Sequence, residues 1–294
     1  MPGTFVDVEI ASQPELWQRA SALLPEVEGR LPRSGQRVAA VGCGTSWFVA
    51  QSYAALREAR GAGVTDSFTA SEFPTGRHYD GVVAISRSGT TTEIIDFLRA
   101  LDGVPRLLIT GVHDSPAASL ADETIVLSFA DEQSVVQTRF ATSTLALLRS
   151  HLGEDIDEVA EDGRRALETD LSPLLDAEQV TFLGRGWSVG LASEAALKTR
   201  EAAQFWAESY PAMDYRHGPV AIAQPGRLVW ALGEIPAGLA DEVSGTGATF
   251  VHHGFDAMAS LIVAQRFAVA LAKRNGLDPD RPRGLTRSVV LNEQ

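Results

Sequence analysis

The chain has 294 residues, a formal net charge of −13 and one cysteine, Cys43. This length suffices for one large α/β domain or two domains of common size, and the negative charge without a local basic face excludes nucleic acid as a partner. The absence of any run of about 18 apolar residues excludes a membrane span. The N-terminus lacks a basic segment followed by an apolar run, and a single cysteine cannot form an internal disulfide, so we expect a cytoplasmic protein.

Predicted strands and helices alternate along the chain. Residues 1–29 carry apolar side chains at helical spacing, which predicts a helical lead-in. The predicted elements that follow are a strand over 37–41, a helix over 47–63, a short strand over 67–73, a buried strand over 80–89, a helix over 91–101, strands over 106–112 and 123–129, and a long helix over 134–153. This alternation predicts a doubly wound parallel sheet.

The pattern then starts again. VTFLGRGWS repeats the character of VAAVGCGTS, RLVWALG that of GVVAIS, and the late helix shares the tripeptide RFA with the helix over 134–153. We expect two α/β halves, with only the first carrying a Ser-rich turn. The predicted organisation is a lead-in over 1–29, a first subdomain over 30–155, a connector over 156–174, a second subdomain over 175–280 and a tail over 281–294 that closes the site.

The segment SRSGTTTE, residues 86–93, combines two serines, three threonines and Gly89 between a predicted strand and a predicted helix. Such a turn directs backbone N–H groups and the positive end of a helix dipole at one point, and the glycine lets a ligand approach the chain. A phosphate monoester fits this pattern. A Ser/Thr-rich capping turn without a ligand is the alternative.

The turn GCGTS, residues 42–46, ends the first predicted strand. It lacks the third glycine of the dinucleotide fingerprint G-x-G-x-x-G, because Trp47 stands at that position. Turns at the carboxyl ends of neighbouring parallel strands open into one crevice. The sequence therefore predicts a small phosphorylated ligand held by this turn and the Ser/Thr segment.

Glu194, Lys198 and Glu201 follow the spacing i, i+4, i+7, so they share one face of a predicted helix. A solvated row of ion pairs is the alternative for such a spacing. The flanking alanines and aromatic residues favour a buried helix, in which a carboxylate beside a lysine can act as a tuned base. His217 follows in YRHGP and is fixed by a Gly-Pro turn. The flanking residues are Ala195, Ala196, Ala202, Ala203, Phe205 and Trp206.

Five motifs, GCGTS, ISRSGTT, ALKTRE, AESY and RHGP, stand in the order seen in sugar isomerase (SIS) domain proteins. Between Glu9 and Val290 the chain resembles, more narrowly, the isomerase half of glucosamine-6-phosphate synthase and its deaminase and deglycase relatives. The resemblance implies a double-SIS α/β fold of two subdomains, each a parallel sheet flanked by helices in three αβα layers. It also implies a homodimer that binds a hexose 6-phosphate derivative.

The resemblance further implies roles for individual residues. Glu201 would move a proton between C1 and C2, His217, supplied across the dimer interface, would assist ring opening, and Glu194 and Lys198 would tune and position them. Gln137 stands where the synthase has a serine that contacts the sugar. The implied substrate and phosphate contacts are Cys43, Gly44, Thr45, Ser46, Ser86, Arg87, Ser88, Thr91, Gln137 and Arg287.

Arg287 is a departure from the family pattern. The synthase has a lysine near its C-terminus that forms a Schiff base with the ketose, and an arginine at that position stays protonated and cannot do so. We expect Arg287 to close over the ligand instead. The sequence contains no glutaminase domain either, so we do not expect glutamine-dependent synthesis.

These features predict an enzyme that isomerises, deaminates or deglycates an (amino)hexose 6-phosphate. No metal or organic cofactor is expected, because the carbonyl itself makes the adjacent C–H acidic and the sequence has no Cys/His cluster. Two alternatives stay open: a non-catalytic sugar-phosphate sensor, and a plain aldose–ketose isomerase that performs no amine chemistry.

Overall fold

A computed structural model describes residues 4–291 of the chain. Within them the chain divides into two compact units. Unit A comprises residues 15–132, 137–156 and 286–291, and unit B comprises residues 4–14, 133–136 and 157–285. The subdomain boundaries expected from the sequence stay a prediction.

The secondary structure alternates as the sequence predicts. The helices are α1 (Phe5–Ala11), α2 (Gln13–Ala22), α3 (Leu24–Val27), α4 (Thr45–Ala59), α5 (Thr92–Ala100), α6 (Arg139–His151), α7 (Ile156–Leu167), α8 (Ser188–Ala203), α9 (Leu239–Gly245) and α10 (Ala257–Arg274). The strands are β1 (Val38–Gly42), β2 (Thr65–Thr69), β3 (Gly81–Ser86), β4 (Arg106–Thr110), β5 (Glu123–Val126), β6 (Gln179–Gly184), β7 (Ala207–Pro211), β8 (Arg227–Leu232) and β9 (Thr249–Val251).

Unit A is built on a parallel sheet whose strand order is β2-β1-β3-β4-β5 among the described residues. One face of the sheet packs against α5, where Ile94, Phe97 and Leu98 meet apolar side chains of β1, β3 and β4. Successive strand residues point to opposite faces, and α4 packs against β1, β2 and α6. Because both faces are covered, all five residues of β1 are buried.

Unit B repeats the design with the order β7-β6-β8-β9 among its described residues. Leu239 and Val243 of α9 join a core cluster with residues of β6 and β8. On α10, Phe267 meets the ring of Trp230 in β8 at a centroid distance of 5.6 Å, and α8 packs against β6 and α10. Two parallel sheets flanked by helices are therefore present, and the predicted fold class is confirmed.

Several predicted boundaries differ from the observed ones, and for two of them the structure shows the physical reason. The long helix expected from residue 134 begins at Arg139, because the Glu132 carboxylate accepts hydrogen bonds from the backbone N–H groups of Thr138 and Arg139 and so caps the helix there. The buried helix expected to include Trp206 ends at Ala203. Gln204 takes a left-handed conformation (φ 51°) and Trp206 is 49% exposed, so this side chain does not belong to the helix core.

Among the described residues, no helix combines the length and the apolar character that crossing a membrane requires.

Candidate functional site

The turn after β1 brings the start of α4 very close to the strand. A Cβ atom on Gly42 would lie 2.4 Å from the backbone carbonyl carbon of Ser46, so only glycine fits. Gly44 takes a positive φ of 54° and is exposed, whereas Thr45 and Ser46 are buried at the first turn of α4. The predicted sugar-contacting loop is therefore a tight, fixed turn at the carboxyl end of a strand.

The half-buried thiol of Cys43 lies in this turn. Burial raises its pKa above the ordinary value, the negative charge of Glu93 adds to that rise, and a hydrogen bond from the Ala70 backbone opposes it. Cys43 is thus held as a neutral thiol. Glu93 belongs to the first turn of α5. The two predicted ligand-binding turns of unit A follow the neighbouring parallel strands β1 and β3 and so lie at the same edge of the sheet.

The Ser/Thr turn after β3 is ordered by its own hydroxyl groups. Ser86 Oγ accepts a hydrogen bond from the Gly89 N–H at 3.2 Å, and Ser88 Oγ accepts from the Thr90 N–H at 3.2 Å. Both serines are buried. Gly89 has a positive φ of 62°, and a Cβ there would meet Ser115 Oγ at 2.1 Å. This turn therefore presents polar groups on a closely packed backbone.

The N-terminus of α5 is capped by the tail of the chain. Thr91 occupies the cap position and is half-buried, but its side chain makes no capping hydrogen bond. The Thr92 N–H instead donates to the Val289 carbonyl at 3.1 Å, and Thr92 Oγ1 accepts from the Leu291 N–H at 2.9 Å. The capping role that the sequence assigned to the threonines is thus filled by a main-chain carbonyl.

Arg87 and Arg287 both contact the dipeptide Asp131–Glu132. The Arg87 guanidinium forms an ion pair with Glu132 at 3.3 Å, with the side chains 3% and 0% exposed, and it donates to the Arg287 carbonyl at 3.0 Å. The Arg287 guanidinium pairs with Asp131 and donates to the Glu132 carbonyl. Sequence analysis missed both acidic residues; their only signal was a pair of carboxylates shortly after a predicted strand.

Gln137 lies just before α6 and is half-buried. Its Oε1 atom is buried and has no hydrogen-bond partner among the described residues. An amide oxygen in that state is available to a ligand hydroxyl.

In unit B, α8 carries Glu194, Lys198 and Glu201 on one face, as predicted. Lys198 Nζ lies 3.6 Å from Glu194 Oε1 and hydrogen-bonds Glu201 Oε2. Lys198 and Glu194 are each 2% exposed at the side chain, whereas Glu201 is 19% exposed. The group is a buried ion-pair cluster with one accessible carboxylate, so the alternative of a solvated row of ion pairs is wrong.

His217 ends a short 3₁₀ turn, Asp214–His217, and is exposed. Gly218 follows with a φ of 135°, a conformation that favours glycine. Two residues before His217, the buried hydroxyl of Tyr215 has no hydrogen-bond partner among the described residues. Burial, with the nearby Glu208 charge and Tyr210, raises the pKa of Tyr215 to about 12, and sequence analysis gave no signal for this residue.

Within residues 4–291, no group of three His, Cys, Asp or Glu side chains is arranged to hold a metal ion.

Comparison with known proteins identifies the first half of the chain. The family profile of the SIS domain matches residues 33–151. Residues 33–151 thus match a SIS domain. The resemblance predicted from five short motifs is therefore confirmed.

Curated relatives of this chain include the glutamine–fructose-6-phosphate aminotransferase (isomerizing) of Sulfolobus acidocaldarius. The two sequences are 28% identical over an alignment 312 residues long, which covers 92% of this chain and 52% of the relative. The chain thus spans about half the length of the curated relatives it matches.

Solved structures share the fold across nearly the whole chain. Glucosamine-6-phosphate deaminase from Thermotoga maritima has a TM-score of 0.78 at 24% identity and covers 98% of this chain and 100% of its own. Tagatose-6-phosphate ketose/aldose isomerase from Escherichia coli has a TM-score of 0.79 at 17% identity, covering 99% of this chain and 97% of its own. At these identities the likeness shows the fold.

Proposed function

We propose that this protein is an enzyme that moves a proton between C1 and C2 of a hexose 6-phosphate or its amino derivative. The outcome would be aldose–ketose isomerisation, deamination or deglycation. The observation that carries the proposal is the α8 cluster, where a buried lysine holds the one accessible carboxylate, Glu201. A carboxylate fixed in this way suits abstraction of a proton next to a carbonyl.

The substrate class is supported by three names. The relative and the two solved structures are named for fructose 6-phosphate, glucosamine 6-phosphate and tagatose 6-phosphate, all of which are hexoses with a 6-phosphate. The Ser86–Thr91 turn of unit A, with its buried hydroxyls and glycine, offers the neutral donors that bind phosphate.

In the proposed isomerisation Glu201 accepts the proton from one carbon and returns it to the neighbouring one, while a hydroxyl proton passes between O2 and O1. In deamination or deglycation, water then hydrolyses the resulting imine and the amine leaves. The Lys198 ammonium holds Glu201 in place through their ion pair, and Glu194 balances the lysine charge on its other side. His217 assists ring opening. The chain has two lysines, Lys198 and Lys273, so a Schiff base formed by a lysine of the tail plays no part in this proposal.

The first test is a thermal-shift screen of the purified protein with fructose 6-phosphate, tagatose 6-phosphate and glucosamine 6-phosphate, each beside its unphosphorylated sugar. A ligand at about 100 times its Kd stabilises the folded state by about 2.7 kcal/mol. Stabilisation by phosphorylated sugars alone supports the proposal. If no phosphorylated sugar raises the melting temperature, the substrate class is wrong.

The second test separates an enzyme from a sugar-phosphate sensor. Glu201→Gln should lower kcat by about 10³-fold while the Kd for the best ligand of the screen stays unchanged. The matched control is Glu242→Gln, a surface carboxylate of the same unit that pairs with Arg216, which should keep full activity. A wild-type protein that binds a phosphosugar and turns none over would be a sensor.

The role of His217 in a homodimer can be tested by mixing inactive variants. If His217 serves the Glu201 of a second copy, a heterodimer of Glu201→Gln and His217→Ala subunits has one intact site. Random exchange of subunits should then restore about a quarter of wild-type activity. A mixture that stays inactive after exchange would place His217 with the Glu201 of its own chain.

A further inference from the structure

The two arginines of the candidate phosphate region are held by one acidic dipeptide, Asp131 and Glu132, which we call the acidic pair. Arg87 is part of the Ser/Thr turn after β3, and Arg287 is part of the tail that caps α5. Arg87 contacts the Glu132 carboxylate, and Arg287 contacts the Asp131 carboxylate and the Glu132 carbonyl. All four residues belong to unit A.

Glu132 is fully engaged in these contacts. Its Oε1 accepts from the Thr138 N–H, from Thr138 Oγ1 at 2.8 Å and from the Arg139 N–H at 2.8 Å, and its Oε2 lies 3.3 Å from Arg87 Nη1. The carboxylate is 0% exposed. Drawing Arg87 onto a bound phosphate would leave this buried charge with helix amides as its compensation, which is costly.

The tail contacts both the acidic pair and the Ser/Thr turn. Besides the two Arg287 contacts, the Ser288 hydroxyl lies 2.8 Å from Thr90 Oγ1, and the Arg287 carbonyl accepts from Arg87 at 3.0 Å. Arg287 is 37% exposed at its side chain and Asp131 33%. The tail contact can therefore open without unfolding the sheet, whereas the Arg87–Glu132 contact is enclosed.

We propose that the acidic pair is a positioning element of the proposed phosphate site: Glu132 withholds the Arg87 charge from the bound phosphate, and Asp131 holds the tail on the Ser/Thr turn through Arg287. The proposal rests on the proposed function for its ligand. It replaces the expectation that Arg87 contacts the phosphate directly. The phosphate is then bound by hydroxyl and amide donors. Arg87 stabilises the turn through its contacts with Glu132 and the Arg287 carbonyl.

The Glu132 part is tested by the affinity for fructose 6-phosphate at low and high salt. Glu132→Gln releases the Arg87 charge, so the Kd should fall about ten-fold at low salt and depend more steeply on salt than in the wild type. Adding Arg87→Gln should abolish that gain. A merely structural glutamate would give weaker binding with an unchanged salt dependence, and that result would overturn this part.

The Asp131 part is tested by limited trypsin digestion of the full chain without ligand, following cleavage after Arg287 by mass spectrometry. Asp131→Asn should speed this cleavage about five-fold, because the tail detaches more often. The matched control is Asp122→Asn, which weakens the Arg106–Asp122 pair of the same sheet and should leave the rate unchanged. Equal rates for Asp131→Asn and the wild type would overturn this part.

The two arms separate failure of this inference from failure of the proposed function. If the wild type binds no phosphorylated sugar, the proposed function fails while the digestion still decides whether Asp131 holds the tail. If the wild type binds fructose 6-phosphate and neither variant behaves as stated, the function stands and the acidic pair is only structural. Should Glu132→Gln not fold, Arg87→Gln alone decides the Glu132 part: an affinity for fructose 6-phosphate and a salt dependence like those of the wild type support it, and weaker binding with a shallower salt dependence overturns it.

Discussion

The turns β1–α4 and β6–α8 share one backbone design. A Cβ on Gly42 would lie 2.4 Å from Ser46, and a Cβ on Gly184 would lie 2.2 Å from Ser188. Two residues after each of these glycines a second glycine takes a positive φ, 54° at Gly44 and 56° at Gly186. In both units the start of the helix therefore packs against the strand that precedes it, and the contact is made by the serine four residues after the first glycine.

The turns after the neighbouring strands, β3 in unit A and β8 in unit B, differ in chemistry. After β3, unit A places a run of hydroxyls that hydrogen-bond one another and the tail. At the corresponding end of β8, unit B has Gly233 and Glu234, and Glu234 pairs with Arg185 on the surface. In unit B the buried charged side chains of the candidate site lie on α8, around Lys198. The same fold unit thus carries a hydroxyl-rich turn in one copy and a buried lysine–carboxylate cluster in the other, because the chemistry lies in the side chains placed on the fold.

The largest expected effect is a loss of folding stability when a lysine is replaced. The two lysines of the chain allow a buried ion pair to be compared with an exposed one. Lys198→Met leaves two carboxylates without their cation in the interior of unit B and should lower the free energy of unfolding by about 3–5 kcal/mol. Lys273, 46% exposed beside Asp7, should cost less than about 1 kcal/mol when changed to Met. Urea denaturation measures both. Similar losses for the two variants would mean that the α8 cluster is solvated.

The shared backbone design predicts equal sensitivity of the two turns. Gly42→Ala and Gly184→Ala should each lower the free energy of unfolding by about 3 kcal/mol, because the new methyl group meets the backbone of the following helix. Gly29→Ala, where an added Cβ has nothing within 4 Å, is the control and should change stability by less than about 0.5 kcal/mol. A marked inequality between Gly42→Ala and Gly184→Ala would show that the turns are not equivalent.

The chemical difference between the turn after β3 and the turn after β8 predicts which of these two turns binds phosphate. Ser88→Ala should weaken the binding of fructose 6-phosphate about ten-fold, because a hydrogen bond to a charged group is lost. Glu234→Gln, at the corresponding strand end of unit B, should leave the affinity unchanged. Isothermal titration of both variants checks this, and a weaker affinity for Glu234→Gln alone would move the phosphate site to unit B.

The smallest expected effect is on the pH dependence of the melting temperature. Burial lowers the pKa of His253 below its ordinary value, and the neighbouring His252 adds to this. The unfolded chain then binds the proton more readily, so the stability contribution is complete above about pH 6.5 and is lost as the pH falls. His253→Gln should flatten the decrease in melting temperature between about pH 7 and pH 5. The exposed His78, changed to Gln, should not; if it flattens the decrease equally, His253 is not the group responsible.

The sequence by itself determined the order of elements and the resemblance to SIS domains. Buried parallel strands appear as continuous apolar runs, and glycines mark the turns where strand and helix meet, so local patterns suffice for both. The spacing of Glu194, Lys198 and Glu201 also placed them on one helix face without any tertiary knowledge. The shared RFA tripeptide falls at different places in the two helices, since Arg139 begins α6 and Arg266 lies in the middle of α10.

Which groups the charged side chains contact, and how deeply they are buried, was decided only by the tertiary structure. Whether Lys198 is buried, and whether Arg87 meets a phosphate or Glu132, depends on side chains that are distant in sequence and are brought together by packing. The helix that begins at Arg139 and the cap of α5 show the same limit, since both termini are satisfied by groups outside the local sequence, Glu132 and Val289. A helix end needs a hydrogen-bond partner, but any nearby part of the chain can supply it, and the local sequence does not encode which part is near.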